Sequence, residues 1–351
     1  METVGVGIVG SAFAASLHAD AYRRCPYATL IAVSSKAPEE LRQFCSRFDI
    51  PHAYDDLGEM LARDDIQLVS VCAPNFTHKE LVLAALAAGK HVICEKPLAT
   101  TVEDAKAMVK AAAAAGRRLF YAEDWVFAPA LVRVVELIAE GAVGKVVYVK
   151  AKETHLGSHS LFAQRREYCG GGAMIHLGIH AIGFCLALLQ EDVTEVWGAV
   201  TGGGEANLVH QDYTGEDWAL GLLTFAGGVR ALVEGNYVTV GGLDDIVEVY
   251  GSDGVIKVDL SQGSPLNVYS RPGFAYAVEK ADTTKSWTRP AVDELRNLGY
   301  PDEIAHFVDC VRRERPAKRG VRAEDGLRAL EVVQAIYRSA EEKRAVRLSP
   351  R

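Results

Sequence analysis

The chain has 351 residues, 49% hydrophobic and 24% charged, the composition of a folded protein with buried cores and a mixed surface, and its length points to two domains. A net charge of −8 offers no basic stripe for nucleic acid, and no apolar run approaches the ~18 residues that cross a membrane. Without a basic leader ahead of METVGVGIVG a cytoplasmic location is expected, and the seven cysteines (Cys25, Cys45, Cys72, Cys94, Cys169, Cys185 and Cys310) form no CxxC pair, which argues for buried thiols over a disulfide framework or zinc ribbon.

From Val4 to Tyr121 short apolar runs alternate with helical stretches, the rhythm of a parallel sheet with crossover helices. Strands are expected at 4–9, 28–34, 67–72, 91–94 and 118–121, and helices at 13–24, 38–48, 77–88 and 102–115. This is the pattern of a doubly wound α/β domain over residues 1–123. Beyond Glu123 the rhythm changes: a helix at 129–140, a strand at 145–153, and a helix opening after Gly170-Gly171-Gly172. Strands then follow at 193–201, 217–225, 229–238, 245–251 and 254–259, joined by turns such as Ala226-Gly227-Gly228 and Ser252-Asp253-Gly254. Such spacing predicts a mostly antiparallel open sheet in an α+β domain over residues 124–351. Helices at 302–314 and 323–342 close the chain, and 261–300 reads as a long irregular loop.

The first strand leads into Gly10-Ser11-Ala12-Phe13-Ala14-Ala15, in the place of a dinucleotide fingerprint GxGxxG/A. Gly10 supplies the tight turn and Ala15 the close packing of helix on strand. Ala12, however, puts a methyl group where the backbone approaches a pyrophosphate. At the end of the second strand, Ser35 and Lys36 stand where an NAD-selective site places an acid on the ribose 2′-hydroxyl. Lys36 can neutralise a 2′-phosphate, so the expected cofactor is NAD(P) with the choice left open. A solvated strand end is the plain alternative for Lys36. Two further strand ends carry Pro74-Asn75-Phe76-Thr77-His78 and Glu95-Lys96-Pro97, at the carboxyl edge where open α/β sheets bind ligands.

These motifs, in this order and at these separations, resemble the glucose-fructose oxidoreductase, inositol dehydrogenase and rhizopine-catabolism (Gfo/Idh/MocA) family. The likeness runs through Gly170-Gly171-Gly172 to Glu324-Asp325-Gly326-Leu327. It implies an N-terminal Rossmann dinucleotide-binding domain and a C-terminal α+β domain for substrate binding and oligomerisation. It also implies reversible hydride transfer to or from a sugar, glycoside or polyol. The cofactor would be held by Gly10, Ala12, Phe13, Ser35, Lys36, Pro74, Asn75, His78, Glu95 and Lys96, and a homodimer or homotetramer is expected. Lys96 would contact substrate and cofactor near the reacting carbon. A partly desolvated lysine there can polarise a carbonyl or help a hydroxyl lose its proton.

His180 matches the family's histidine, while His176 stands where relatives carry aspartate. At i, i+4 on a helix the two imidazoles share one face, which makes them candidates, with Lys96, for the acid and base. A packed helix histidine is the plain alternative for His176. Glu153, His155 and His159, with Glu123 and Trp125, form an acidic and histidine-rich set that suits the hydroxyls of a sugar. The same groups suit Zn or Mn, but the family's chemistry needs no metal and none is expected. Arg165 is a further substrate candidate, and adjacent arginines are also often merely solvated. Two other functions use the same features: a retained NAD that oxidises and re-reduces one substrate in glycoside cleavage or epimerisation, and a non-catalytic sensor of nucleotide or sugar.

Overall fold

Strand β1 (Val4–Val9) is buried at every position, as a central parallel strand covered on both faces must be. The computed structural model to which it belongs describes residues 3–158, 160–261, 268–272, 283–288 and 293–349. With β2 (Ala28–Ser34), β3 (His52–Tyr54), β4 (Leu68–Val71), β5 (His91–Cys94) and β6 (Leu119–Tyr121) it forms a six-stranded sheet in the order β3-β2-β1-β4-β5-β6. All five pairings are parallel. Helices Phe13–Arg23, Pro38–Phe48, His78–Ala87 and Val102–Ala115 make the crossovers. Two elements around this sheet have no counterpart in the sequence reading: the edge strand β3 and the helix Leu57–Leu61 after it. Three residues are too few for a period to register. The helix is set by Asp56, whose carboxylate caps it by accepting the N–H groups of Gly58 and Glu59.

The unit built on this sheet comprises the chain to Phe127 together with Gly299–Arg328. Helix Tyr300–Arg312 stacks Phe307 on Phe120 of β6 with ring centroids 4.8 Å apart, and Tyr121 donates its N–H to the carbonyl of Val321 at 3.0 Å.

The second unit holds Ala128–Leu298 and the chain from Ala329. Its strands are β7 (Val146–Thr154), β8 (Val193–Val200), β9 (Trp218–Phe225), β10 (Arg230–Asn236), β11 (Ile246–Gly251) and β12 (Val255–Asp259), with a two-residue β15 (Val346–Arg347) at one edge. The sheet order is β12-β11-β7-β10-β9-β8-β15, and only the β7–β10 pairing is parallel. Within the stretch read as loop, β13 (Val268–Ser270) and β14 (Ser286–Thr288) form an antiparallel pair, and Glu294–Leu298 is helical. The helical stretch Arg166–Leu189 is the one among the described residues long and apolar enough to cross a membrane, and 72% of its apolar window is buried within the fold, as in a core helix.

Candidate active site

In the first unit the carboxyl ends of β1, β2, β4 and β5 bring the fingerprint turn and both polar motifs to one edge of the sheet. Gly10 sits at φ +106°, and a Cβ there would stand 2.4 Å from the carbonyl oxygen of Cys72, so both conformation and space demand glycine. Ala12 is extended and starts helix Phe13–Arg23 without a side-chain cap, leaving the positive end of the helix to a phosphate, and Phe13 beside it is 54% exposed. The turn therefore fits a dinucleotide. Ser11 donates its hydroxyl to Ser35 Oγ at 2.9 Å, tying the turn to the end of β2, and Lys36 is exposed next to it.

Pro74 and Asn75 lead into a short 3₁₀ turn. His78 is fully buried, with Nδ1 2.9 Å from the Pro97 carbonyl and Nε2 2.9 Å from the Ala73 carbonyl. Burial pushes its pKa down, which favours the neutral imidazole, and its single N–H donates to one of these two carbonyls while the ring packs against the other. Lys96 is half-buried at the end of β5, followed by a cis peptide to Pro97. Its backbone N–H donates to Glu95 Oε2 at 3.0 Å, while Glu95 Oε1 lies 2.9 Å from His18 Nε2. Glu123, just after β6, has no exposed surface and accepts the Tyr121 hydroxyl at 3.3 Å. Burial pushes its carboxyl up to about 8 against the opposing pull of the Lys96 ammonium. Trp125 is 1% exposed.

In the second unit the site residues gather where β7 and β10 meet the helix after the glycines. Residues Met174–Gly178 are wound as a π-helix and only Ile179–Leu189 as α. The wider turn follows from close backbone contact: a Cβ on Gly235 of β10 would stand 2.6 Å from both the Ala173 carbonyl oxygen and the Gly178 nitrogen. Glu216 and Tyr337 fix its start. The Glu216 carboxylate accepts the Met174 N–H at 3.0 Å and the Tyr337 hydroxyl at 2.8 Å, and burial pushes its pKa up.

His176 lies in the π turn and His180 in the α-helix that follows, and each has its own polar neighbour. His176 Nδ1 is hydrogen-bonded to the Tyr237 hydroxyl. His180 is buried with Nε2 3.5 Å from Oε2 of Glu153, the β7 residue paired with Gly235. His155, immediately beyond β7, is buried with its ring centroid 5.8 Å from that of Tyr237, which also neighbours Tyr213 at 5.9 Å. Arg165 is exposed and donates to the Asp212 carbonyl at 3.3 Å. His159 lies outside the described residues.

Sequence reasoning did not find His18, Ser70 or Tyr22 behind Glu95, nor Tyr237 beside His176. Only His18 left a signal: a titratable residue on the apolar face of a helix, with Ala15, Ala19 and Tyr22 around it.

A parallel sheet in this strand order with an uncapped helix at its glycine turn is the architecture of a dinucleotide-binding Rossmann domain. Residues 4–123 match the family described as an oxidoreductase family with an NAD-binding Rossmann fold, and residues 135–348 match its C-terminal alpha/beta domain. The chain belongs to this family, Gfo/Idh/MocA, and its first unit carries the family's NAD-binding domain. It is 26% identical to the myo-inositol 2-dehydrogenase of Thermotoga maritima over 347 residues, covering 98% of each chain. Identity with the D-apiose dehydrogenase of Paraburkholderia graminis is 29% over 350 residues, covering 97% of this chain and 88% of that one. The crystal structure of GenD2 from gentamicin A biosynthesis, in complex with NAD, superposes with a TM-score of 0.92 at 29% identity, covering 99% of this chain and 97% of that chain.

Proposed function

We propose that the chain oxidises, reversibly and with NAD(P), a secondary hydroxyl of a sugar, glycoside or polyol, and that Lys96 handles the proton. The observation that carries this reading is the grouping around the end of β5: a half-buried lysine anchored through Glu95, with a fully buried carboxyl, Glu123, that burial pushes up to about 8. When bound, the nicotinamide supplies the hydride acceptor or donor. Gly10, Ala12 and Phe13 would lie along its pyrophosphate, Ser35 and Lys36 beside the adenosine ribose, and Pro74, Asn75 and the loops tied by His78 along the rest. The chain's own residues then orient the hydroxyl and move its proton. In the second unit His180 with Glu153, and His176 with Tyr237, supply polar partners for the substrate, with His180 the second acid and base.

The relatives named for myo-inositol and D-apiose support a polyhydroxylated substrate. The test is the rise of the reduced-nicotinamide absorbance band when the chain is given NAD⁺ or NADP⁺ with myo-inositol, D-apiose, free hexoses and aminoglycosides. Saturable turnover of at least one compound is expected. No turnover across the panel, with cofactor binding verified, would overturn the reading.

A further inference from the structure

A hydrogen-bonded chain runs through the interior of the first unit to Glu95. Tyr22 and His18 lie one turn apart on the buried face of helix Phe13–Arg23, and Ser70 lies on β4. Tyr22 Oη is 2.7 Å from Ser70 Oγ, Ser70 Oγ is 3.2 Å from His18 Nδ1, and His18 Nε2 is 2.9 Å from Glu95 Oε1. The second Glu95 oxygen accepts the backbone N–H of Lys96 at 3.0 Å. His18 and Ser70 have no exposed surface, and Glu95 is 6% exposed.

With Glu95 ionised and the imidazole in its neutral form, one arrangement satisfies the chain: Nε2–H donates to Glu95, Nδ1 accepts the Ser70 hydroxyl, and Ser70 accepts the Tyr22 hydroxyl. That phenol is kept protonated by burial, well above its ordinary range.

We propose that His18 is a positioning residue: through this chain it holds Glu95 as an oriented carboxylate, and Glu95 fixes the backbone that presents Lys96. Its functional meaning rests on the dehydrogenase reading of Lys96. Glu95 needs such support because three other buried carboxyls share its surroundings, Glu123 after β6, Asp124 next to it and Glu303 on helix Tyr300–Arg312. Glu123 and Glu303 are pushed up by burial. The Lys96 ammonium and the His78 imidazole also face this cluster, while the Cys72 and Cys94 thiols and the Tyr121 phenol are pushed up by burial and stay uncharged. In this cluster the His18 imidazole and the Lys96 N–H hold the Glu95 carboxyl in one orientation from both of its oxygens.

The test is a carboxyl titration of Glu95 in the full-length chain labelled with ¹³C-glutamate, its resonance assigned by Glu95→Gln. Loss of the imidazole donor in His18→Ala is expected to raise the Glu95 midpoint by about one pH unit or more. His18→Gln, which keeps an N–H donor in reach, is expected to return it most of the way, and Ser70→Ala to shift it less in the same direction. On an active substrate, kcat of His18→Ala is expected to fall about tenfold with KM little changed and the acid limb of the rate profile moved up with Glu95, since small displacements of a catalytic group are costly. An unchanged Glu95 midpoint, or His18→Gln behaving like His18→Ala, would overturn the proposal. Should His18→Ala not fold, Ser70→Ala and His18→Gln decide it, an unshifted midpoint in Ser70→Ala being the contrary result. The titration uses no substrate, so it stands even where every compound in the panel fails and the dehydrogenase reading falls.

Discussion

His180 Nε2 lies 3.5 Å from Glu153 Oε2, while His176, four residues earlier, is bonded to the hydroxyl of Tyr237. Distinct partners mean distinct losses. His180→Asn is expected to lower kcat by ~10² to 10⁴, the range for a positioned acid or base, and His176→Asn by about tenfold. The losses are expected to multiply in the double variant, as for groups that act independently. A double variant no worse than His180→Asn would instead show one shared relay.

Glu123 carries a pH dependence of stability. Its carboxyl titrates near its ordinary 4.5 when unfolded and is pushed up to about 8 by burial in the fold. Between those values the folded chain binds a proton that the unfolded chain has released. The stabilisation is therefore complete below about 4.5 and lost as pH rises through about 8. Glu303 and Glu216, also pushed up, add with the same sign. Thermal melts are expected to show Tm several degrees lower at pH 9 than at pH 5.5, at roughly 2–4 °C per kcal/mol for units of this size, and Glu123→Gln is expected to flatten the fall. An unchanged slope in Glu123→Gln would contradict the assignment.

Cofactor binding is expected to be sensitive to bulk at Ala12 and to charge at Lys36. Ala12→Val should weaken NAD⁺ by about tenfold or more, since a branched side chain at the uncapped start of helix Phe13–Arg23 crowds the phosphates. Lys36→Glu should leave NAD⁺ within about twofold and weaken NADP⁺ by more than tenfold through repulsion of the 2′-phosphate. Dissociation constants from quenching of intrinsic fluorescence check both. Equal effects of Lys36→Glu on the two nucleotides would remove Lys36 from the ribose site.

The sheet of the second unit has one face that packs helix, with Ile336 against Gly198 and Gly221, and another that exposes Trp197 (48%) and Leu222 (37%) as neighbours across β8 and β9. Apolar side chains in register on an open face favour a second copy of the chain. Sedimentation is expected to give a dimer or tetramer at micromolar concentration, and Trp197→Glu with Leu222→Arg a smaller species. A wild-type monomer would refute this.

The strands and crossover helices were legible because their periods are long enough to read, as in the wholly apolar VGVGIV of β1. β3 was hidden by its length and its exposed first residues His52 and Ala53. In the site, Gly10 and Lys96 could be placed at strand ends from local pattern, while Lys96 and His180 were singled out by the family resemblance. The partners of the histidines could not. His176 meets Tyr237 from a π turn flanked by close approaches at Gly172, Gly178 and Gly235, contacts that join distant parts of the chain. The π winding has no apolar period of its own in MIHLG, and Tyr237 lies 61 positions away along the chain.

Lys96→Met keeps the length of the side chain and removes the ammonium, and its kinetics test the central claim most directly. On the substrate that wild type oxidises fastest, kcat is expected to fall by ~10² to 10⁴ while the NAD⁺ dissociation constant stays within about threefold. A variant with near wild-type kcat and intact nucleotide binding would contradict the account, because the proton would then leave the hydroxyl without Lys96.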